Sequence, residues 1–238
     1  MSVNKPIIGI IARPAINFEG PNELFILEKY RRAIIKSGGI PVGILPTQDL
    51  EYEENKPSQT KELDQKEKQD LIIQIKMCDG IIMSGGNKFY EYDEFICEYA
   101  IDNDIPLLGI CAGMQAMARI DNKKIYDDYR NVKNDTNINH YQMEENYVHE
   151  VNLNKESMLR KIIGQDTIKV NSVHNYHIVK TNKFEVSGIS EDSLIEAIEM
   201  KNKKFMIGVQ WHPEKIIDKD EPSKRIFKSF INTCTKFR

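Results

Sequence analysis

The sequence has few cysteines and gives them no paired spacing. Four occur among 238 residues, at Cys78, Cys97, Cys111 and Cys234, and none belongs to a Cys-x-x-Cys pair. This pattern argues against both a disulfide framework and a zinc ribbon. We therefore expect reduced thiols, one of which is available as a nucleophile.

The sequence also lacks an excess of charge of one sign and a long hydrophobic run. With 33 Lys and Arg against 36 Asp and Glu, the net charge is −3, which offers no bulk attraction to nucleic acid or anionic membranes. The apolar run 7–12 is too short for a signal-peptide core. The uncharged stretch 105–118 is shorter than the roughly 20 residues that span a bilayer. We expect a cytoplasmic chain with no nucleic-acid or membrane partner.

Short apolar runs alternate with amphipathic segments in the first half of the chain. The runs are 7–11, 40–45, 80–83 and 107–110, and the segments of helical spacing are 24–37, 63–77 and 95–102. This alternation is typical of βαβ units with a parallel sheet. The length suits one large domain or two small ones, and it leaves no room for a second, fused enzyme.

The second half of the chain changes character after about residue 122. Strand-like runs follow at 148–153, 168–170, 183–189, 194–199 and 205–210, with a last helix at 222–233. The segment 121–146 is polar and rich in Asn, which predicts a mobile loop. We predict an α/β fold with a flavodoxin-like, mostly parallel central sheet, flanked by helices and extended by antiparallel strands.

The motif Gly109-Ile110-Cys111-Ala112-Gly113 follows a strand and precedes a helix. It is a nucleophile elbow with cysteine in the serine position. The reversal is so tight that a side chain at Gly109 or Gly113 would collide with its neighbour. The helix N-terminus favours a thiolate at Cys111. The alternative is a small buried cysteine at a tight turn with no chemical role.

The segment Gln210-Trp211-His212-Pro213-Glu214 supplies a candidate base and an orienting group. Residues two apart in an extended chain point the same way, so His212 and Glu214 are expected to lie together at a strand end. His212 would then move the proton and Glu214 would hold its tautomer. A simple ion pair is the alternative interpretation.

The sequence Ser84-Gly85-Gly86 also follows an apolar run. It is therefore expected at the carboxyl edge of the sheet, where open α/β sheets bind their ligands. The amides of Gly85 and Gly86, with that of Ala112, are candidate donors to an oxyanion. No Lys-Ser/Thr pair follows, so the glycines do not form a phosphate-binding loop.

Together these motifs resemble class I glutamine amidotransferase-like hydrolases, and most closely their gamma-glutamyl-gamma-aminobutyrate hydrolase branch. The matching stretches are Ser84-Gly85-Gly86, Gly-Ile-Cys-Ala-Gly-Met-Gln at 109–115, Val-Asn-Ser-Val-His at 170–174, Gly-Val-Gln-Trp-His-Pro-Glu at 208–214, His149-x-Val-x-Leu and Leu-Ile-Glu-Ala-Ile-Glu at 194–199. The likeness extends over nearly the whole chain. It implies one hydrolase domain over 1–238.

The resemblance also implies roles for individual residues. It implies a catalytic triad of Cys111, His212 and Glu214, an oxyanion hole from Gly85, Gly86 and Ala112, and contacts from Gln115, Ser172 and His174 to a gamma-glutamyl group. It implies no metal and no organic cofactor. No pair of histidines and carboxylates has zinc-binding spacing. His149 is expected to be structural, and His174 either contacts substrate or supports its loop.

Several positions depart from the pattern of that branch. Ala112 stands where Arg is usual, Tyr176 stands where Gln is usual, and the loop at 87–92 is short. Further along, Arg119-Ile-Asp-Asn-Lys replaces a segment with the pattern Asn-x-x-x-Gly-Gly. All four lie close to the expected pocket, so the amine side of the substrate is left open.

The expected reaction is therefore hydrolysis of a gamma-glutamyl amide through a thioester, releasing glutamate and an amine. One alternative is a glutaminase subunit that supplies ammonia to a separate synthase partner. Another is a regulatory homologue that binds without turnover. The expected ligand is a small gamma-glutamyl molecule, and a homodimer is compatible with the sequence.

Overall fold

The computed structural model describes residues 5–17, 19–50, 52, 58–59, 61–121, 126–131, 138–144 and 147–235. A mixed sheet of eleven strands organises these residues. Its strands are β1 (Ile7–Ile11), β4 (Ile40–Ile44), β6 (Gly80–Met83), β8 (Leu107–Ile110), β9 (Tyr126–Asp128), β10 (His149–Leu153), β11 (Thr167–Val170), β12 (Tyr176–Ile178), β13 (Glu185–Ser190), β14 (Ile195–Glu199) and β15 (Met206–Val209).

Seven helices and two small strand pairs complete the described part of the chain. The pairs are β2 (Arg13–Ala15) with β3 (Glu23–Phe25), and β5 (Ser58–Gln59) with β7 (Phe89–Tyr90). The helices are α1 (Glu28–Ser37), α2 (Gln65–Lys76), α3 (Glu91–Asp102), α4 (Ala112–Arg119), α5 (Met158–Ile163), α6 (Pro213–Ile216) and α7 (Glu221–Thr235), with a 3₁₀ turn at Tyr129–Asn131. None of these helices has the length and apolar character needed to cross a membrane.

The strand order is β11-β10-β13-β14-β15-β8-β6-β1-β4. From β15 to β4 neighbouring strands are parallel, and from β15 towards β11 they are antiparallel. The predicted flavodoxin-like sheet with an antiparallel extension is confirmed. Because β6, β8 and β15 are parallel neighbours, the segments that follow them meet at one edge of the sheet.

Two hydrophobic clusters lie within this α/β arrangement. One includes Ile34, Phe227 and Phe230 from α1 and α7, and the other includes Leu71 and Met117 from α2 and α4, all of them buried. Parallel strands covered in this way are apolar throughout, which explains the continuous apolar runs in the first half.

Several element boundaries differ from the sequence prediction. The segment 24–37 is not one helix, because Glu23–Phe25 pairs with Arg13–Ala15 before α1 begins at Glu28. The helix expected at 95–102 begins at Glu91, where Asp93 in its first turn is held by a distant arginine. The last helix, expected at 222–233, extends to Thr235, and Cys234 is buried on it.

The segment predicted to be a mobile loop, 121–146, contains ordered structure where it is described. Within it, β9 pairs with β12, which itself pairs with β14. Residues 122–125, 132–137 and 145–146 lie outside the described residues. The prediction of mobility therefore stands untested for those residues.

Candidate active site

Cys111 lies between β8 and α4, in a backbone conformation that is rare for a residue with a side chain. Its φ is 54° and its ψ is −112°, so the surrounding structure must impose it. A Cβ atom added to Gly113 would overlap the Met83 carbonyl oxygen, and one added to Gly109 would overlap the Met117 sulfur. The predicted need for glycine on both sides of the cysteine is confirmed.

His212 and Glu214 are in contact, although by a different route from the one expected. His212 Nδ1 lies 2.7 Å from Glu214 Oε1, and both residues are buried. The two do not continue a strand, because β15 ends at Val209. Instead Pro213 is the first residue of the short helix α6, a position that suits proline's fixed φ and its missing N–H. The argument from strand alternation was wrong in that respect.

The environment of His212 favours its protonated form. Burial lowers the pKa of His212, but the Glu214 carboxylate and the Cys111 sulfur, which is within hydrogen-bonding reach, raise it to about 10. At neutral pH an imidazolium therefore lies between the Glu214 carboxylate and the Cys111 sulfur. Such a ring holds a proton ready for a leaving amine.

The glycine turn after β6 lies beside this pair. A Cβ atom on Gly85 would be 3.1 Å from His212 Cε1 and 3.5 Å from Cys111 Cβ. The Gly85 N–H donates to the Tyr30 hydroxyl oxygen at 2.8 Å, so this predicted oxyanion donor already has an acceptor. Ala112 begins α4 immediately after Cys111. The role of Gly85, Gly86 and Ala112 as oxyanion donors stays a prediction.

A match to known proteins follows the same residues. Residues 63–214 fit the model of the family described as Peptidase C26, and the matched segment contains the elbow, the glycine turn and the His-Pro-Glu segment. The chain belongs to the Peptidase C26 family. This membership confirms the predicted resemblance to class I glutamine amidotransferase-like proteins.

Individual relatives of this Peptidase C26 chain extend over most of its length. A Schizosaccharomyces pombe protein, PB2B2.05, named as a candidate glutamine amidotransferase, is 30% identical over 232 residues, covering 86% of this chain and 81% of that protein. The gamma-glutamyl-gamma-aminobutyrate hydrolase PuuD of Escherichia coli is 25% identical, covering 98% of this chain and 94% of PuuD.

The fold has solved counterparts at lower identity. The glutaminase domain of Trypanosoma brucei CTPS, solved with bound acivicin, gives a TM-score of 0.61 at 16% identity, covering 97% of this chain and 94% of that one. A likeness at this identity supports the fold alone. It agrees with the parallel sheet and its antiparallel extension.

The structure assigns Asn171 a supporting position that the sequence alone did not reveal. Its Oδ1 accepts from the backbone N–H of His212 at 2.9 Å, and its Nδ2 donates to the His212 carbonyl at 3.0 Å. Asn171 is fully buried. Both backbone groups of His212 are therefore fixed by one side chain 41 positions earlier in the chain. The Asn-Ser-x-His motif was visible, but its contact with His212 was not.

A buried arginine shapes the glycine turn in a similar way. Arg13 donates to the Ser84 carbonyl at 2.6 Å and to the Ser84 hydroxyl at 3.1 Å, and its Nη1 is 2.7 Å from both Asp93 oxygens. Burial alone would lower the pKa of Arg13, but Asp93 raises it above the ordinary value. The charged guanidinium thus connects β2, the turn and α3. Only contacts distant in sequence reveal this role.

The side chains predicted to contact substrate form hydrogen bonds to other residues of the protein. Gln115 Nε2 donates to the Tyr176 carbonyl at 2.6 Å and to Gln210 Oε1 at 2.9 Å. The Ser172 hydroxyl lies 3.2 Å from His140 Nδ1, and His174 Nδ1 lies 3.0 Å from the Tyr176 carbonyl.

Between Ser172 and His174, the carbonyl of Val173 is 3.8 Å from the Cys111 sulfur. This loop therefore approaches the Cys111 sulfur through its backbone. The contact of Gln115, Ser172 and His174 with a gamma-glutamyl group stays a prediction.

Proposed function

We propose that this chain hydrolyses a gamma-glutamyl amide through a thioester on Cys111. The observation that carries the proposal is Cys111 at the strained start of α4, within reach of a His212 ring that Glu214 contacts at 2.7 Å. Family membership supports a cysteine-dependent hydrolase. PuuD, a relative over nearly the full chain, is named as a gamma-glutamyl-gamma-aminobutyrate hydrolase.

In the proposed reaction the Cys111 sulfur attacks the gamma-carbonyl carbon. As the carbon–nitrogen bond breaks, the His212 proton passes to the departing amine. Neutral His212 then takes a proton from water, which attacks the thioester. Glutamate leaves, and the thiolate and the imidazolium are restored. Glu214 keeps the ring oriented throughout.

The developing oxyanion requires backbone donors at the same edge of the sheet. We assign this role to the amides of Gly86 and Ala112, with Gly85 joining them when its N–H exchanges the Tyr30 hydroxyl for substrate. Tyr30 is buried, and burial raises its pKa well above the ordinary value, so it stays a neutral phenol. The exchange is therefore between two uncharged acceptors until charge develops on the substrate.

We infer that the positions at which the sequence departs from the family pattern select the amine side of the substrate. Tyr176, 42% exposed, follows the Ser172–His174 loop, and its carbonyl binds Gln115. Residues 87–92 form β7 and the first turn of α3 instead of a longer loop. We assign the selection of the amine to Ala112, Tyr176 and residues 87–92.

The test is a substrate panel with two cysteine variants. Glutamine, gamma-glutamyl-aminobutyrate and gamma-glutamyl dipeptides are offered separately, and the glutamate released is measured. Wild-type protein is expected to hydrolyse at least one of them. Cys111→Ala should lose on the order of 10⁴-fold or more in rate with its fold intact. Cys78→Ala, which removes a buried thiol before the start of β6, at the other end of that strand from Ser84, should keep its activity. An active Cys111→Ala protein would contradict the proposal.

A second candidate function uses the same cysteine chemistry on glutamine, with ammonia as the product that matters. CTP synthase of Flavobacterium psychrophilum is 30% identical over 199 residues, which cover 69% of this chain and 36% of that protein. This likeness favours a glutaminase subunit that passes ammonia to a separate synthase. Glutamate release from glutamine should then rise when the synthase is added. Refusal of glutamine under all conditions would exclude this candidate.

A further inference from the structure

Three histidines and one glutamate form a buried cluster, and one of the histidines, His174, belongs to the Ser172–His174 loop. His149 lies on β10, Glu196 lies on β14, and His140 and His174 lie on segments joined by the bridge between Tyr141 and Val173. None of the four side chains is more than 1% exposed. They come from four separate segments, which explains why the sequence showed no metal-binding spacing.

The three rings converge on a single carboxylate oxygen. From Glu196 Oε1 the distances are 3.7 Å to His140 Nδ1, 3.8 Å to His149 Nε2 and 3.5 Å to His174 Nε2. These distances exceed the roughly 2.7–3.2 Å of ordinary hydrogen bonds. They are close to the ligand separation of about 3.3 Å in a tetrahedron with metal–ligand bonds of about 2.0–2.1 Å.

The contacts of the ring nitrogen that points away from Glu196 show which nitrogen of each histidine carries the hydrogen. His149 Nδ1 contacts the Glu150 carbonyl at 3.2 Å, and His174 Nδ1 contacts the Tyr176 carbonyl at 3.0 Å. His140 Nε2 contacts the Asp192 carboxylate at 2.9 Å. Carbonyl and carboxylate oxygens only accept, so these nitrogens are the N–H groups. In neutral rings the lone pairs of His149 and His174 then face Glu196. The lone pair of His140 Nδ1 lies 3.7 Å from Glu196 and 3.2 Å from the Ser172 hydroxyl, which an ion would displace.

Acceptors that face a buried carboxylate need a positive partner. Both oxygens of Glu196, His149 Nε2 and His174 Nε2 make no hydrogen bond within the described part of the chain. Unpaired buried groups of this kind are expensive. A bound cation satisfies all of them at once, and contacts from Asp192 and two carbonyls to the outer ring nitrogens are what metal-ligating histidines usually have.

We propose that His140, His149 and Glu196 bind one divalent transition metal ion of the zinc class, with His174 as a fourth ligand. The ligand atoms of the first three lie within 4.8 Å of one another. His174 Nε2 is 3.5 Å from Glu196 Oε1 but lies outside that group, so it has to move towards the ion to bind it. Three imidazole nitrogens and one carboxylate oxygen suit zinc and its neighbours rather than magnesium or calcium.

This ion would support the active site without taking part in the reaction. His174 lies in the loop that begins at Asn171, and Asn171 bonds both backbone groups of His212. Within the same loop the Val173 carbonyl lies 3.8 Å from the Cys111 sulfur. An ion at Glu196 thus fixes the far end of that loop. The four ligands are positioning residues for His212.

The experiment measures metal binding directly. Purified full-length protein is stripped with a chelator and titrated with Zn²⁺ against a chromophoric competitor, and separately with Co²⁺ for its visible spectrum. One equivalent should bind. Cobalt should give the intense d–d bands of four-coordinate sites without a thiolate charge-transfer band. Cys111→Ala should bind equally well, which separates this site from the nucleophile and from the proposed hydrolysis.

Variants locate the ion. Glu196→Gln should weaken zinc binding more than 100-fold. Asp192→Asn removes the charge of an outer contact without removing a ligand, and should weaken binding about 10–100-fold. His177→Gln, a matched buried histidine on β12, should leave it unchanged. If Glu196→Gln does not fold, the result with Asp192→Asn decides.

Three results would overturn the proposal. They are an absence of stoichiometric binding by folded wild-type protein, affinity unchanged in both Glu196→Gln and Asp192→Asn, and binding lost with Cys111→Ala.

Discussion

His212 is fixed at its backbone by Asn171 and at its ring by Glu214, and its ring faces the Cys111 sulfur. Each contact has a separate consequence. The Asn171 contacts fix the backbone position from which the His212 side chain extends. The Glu214 carboxylate sets the tautomer and the charge of the ring. The two effects are therefore separable by substitution.

Glu214→Gln should lower the rate of hydrolysis with little loss of fold. The amide keeps the shape of the side chain and an oxygen that can accept from Nδ1–H, but it removes the charge that raises the pKa of His212. We expect kcat to fall on the order of 10²–10⁴-fold, with a smaller change in KM. Steady-state kinetics across pH provides the measurement. An unchanged kcat would show that Glu214 forms only a structural ion pair.

Asn171→Ala should reduce both stability and turnover. It leaves the N–H of His212 buried without its acceptor, at a cost of about 1–3 kcal/mol. It also removes one of two donors to the His212 carbonyl, which keeps the Lys215 N–H at 3.2 Å. Urea unfolding measures the loss, and kcat against KM tests the positioning role. Asn171→Asp keeps the acceptor for the N–H and loses the donor, so it should lie between Ala and wild type. Equal kcat in all three proteins would refute the positioning role.

At the scale of elements, the glycine turn depends on a strand and a helix far away in the sequence. Arg13 on β2 and Asp93 on α3 form a buried ion pair, with side chains 5% and 1% exposed. The same guanidinium holds both the carbonyl and the hydroxyl of Ser84. The position of Gly85 and Gly86 therefore depends on elements that neither residue belongs to.

Asp93→Asn should destabilise the protein by about 3–5 kcal/mol, because it leaves the Arg13 charge buried without its partner. The urea midpoint measures this loss. Asp70→Asn is the matched control, since Asp70 pairs with Lys66 on the exposed face of α2 and should change stability by less than about 1 kcal/mol. Similar losses in the two variants would contradict the assigned role of the buried pair.

The elements differ in how much of them the sequence could reveal. The elbow around Cys111 and the His212–Glu214 pair are local, because each needs only neighbours within a few residues. The contacts of Asn171, Arg13 and Tyr30 join residues 41 to 80 positions apart, and no local pattern encodes such pairings. The convergence of His140, His149 and His174 on Glu196 could not be predicted either, because these residues also lie far apart in the sequence.

At the scale of the whole molecule, the strand order assembles the site. Since β6, β8 and β15 are adjacent and parallel, three turns that are remote in sequence meet at one edge. Periodicity predicted these strands within one or two residues. Their order across the sheet is a property of tertiary packing, which periodicity alone does not predict.

The stability of the whole protein should depend on pH through His212. Its pKa in the fold is about 10, above the ordinary 6.5, so the folded chain binds this proton more tightly than the unfolded chain. The contribution is fully present below about pH 6.5 and is lost as pH rises towards about 10.

Urea midpoints between pH 7 and pH 10 measure this effect. The wild-type midpoint should fall more steeply than that of His212→Gln. His177→Gln should keep the wild-type slope, because burial lowers the pKa of His177 and its titration lies below this range. Parallel slopes for wild type and His212→Gln would refute the assigned charge.

The most direct test of the account is the mass of the protein during turnover. Wild-type protein is mixed with its best gamma-glutamyl substrate, quenched in acid and analysed by intact and peptide mass spectrometry. The account predicts one added glutamyl group on the peptide that contains Cys111, absent from Cys111→Ala. A glutamyl adduct at another residue, or turnover that persists in Cys111→Ala, would contradict it.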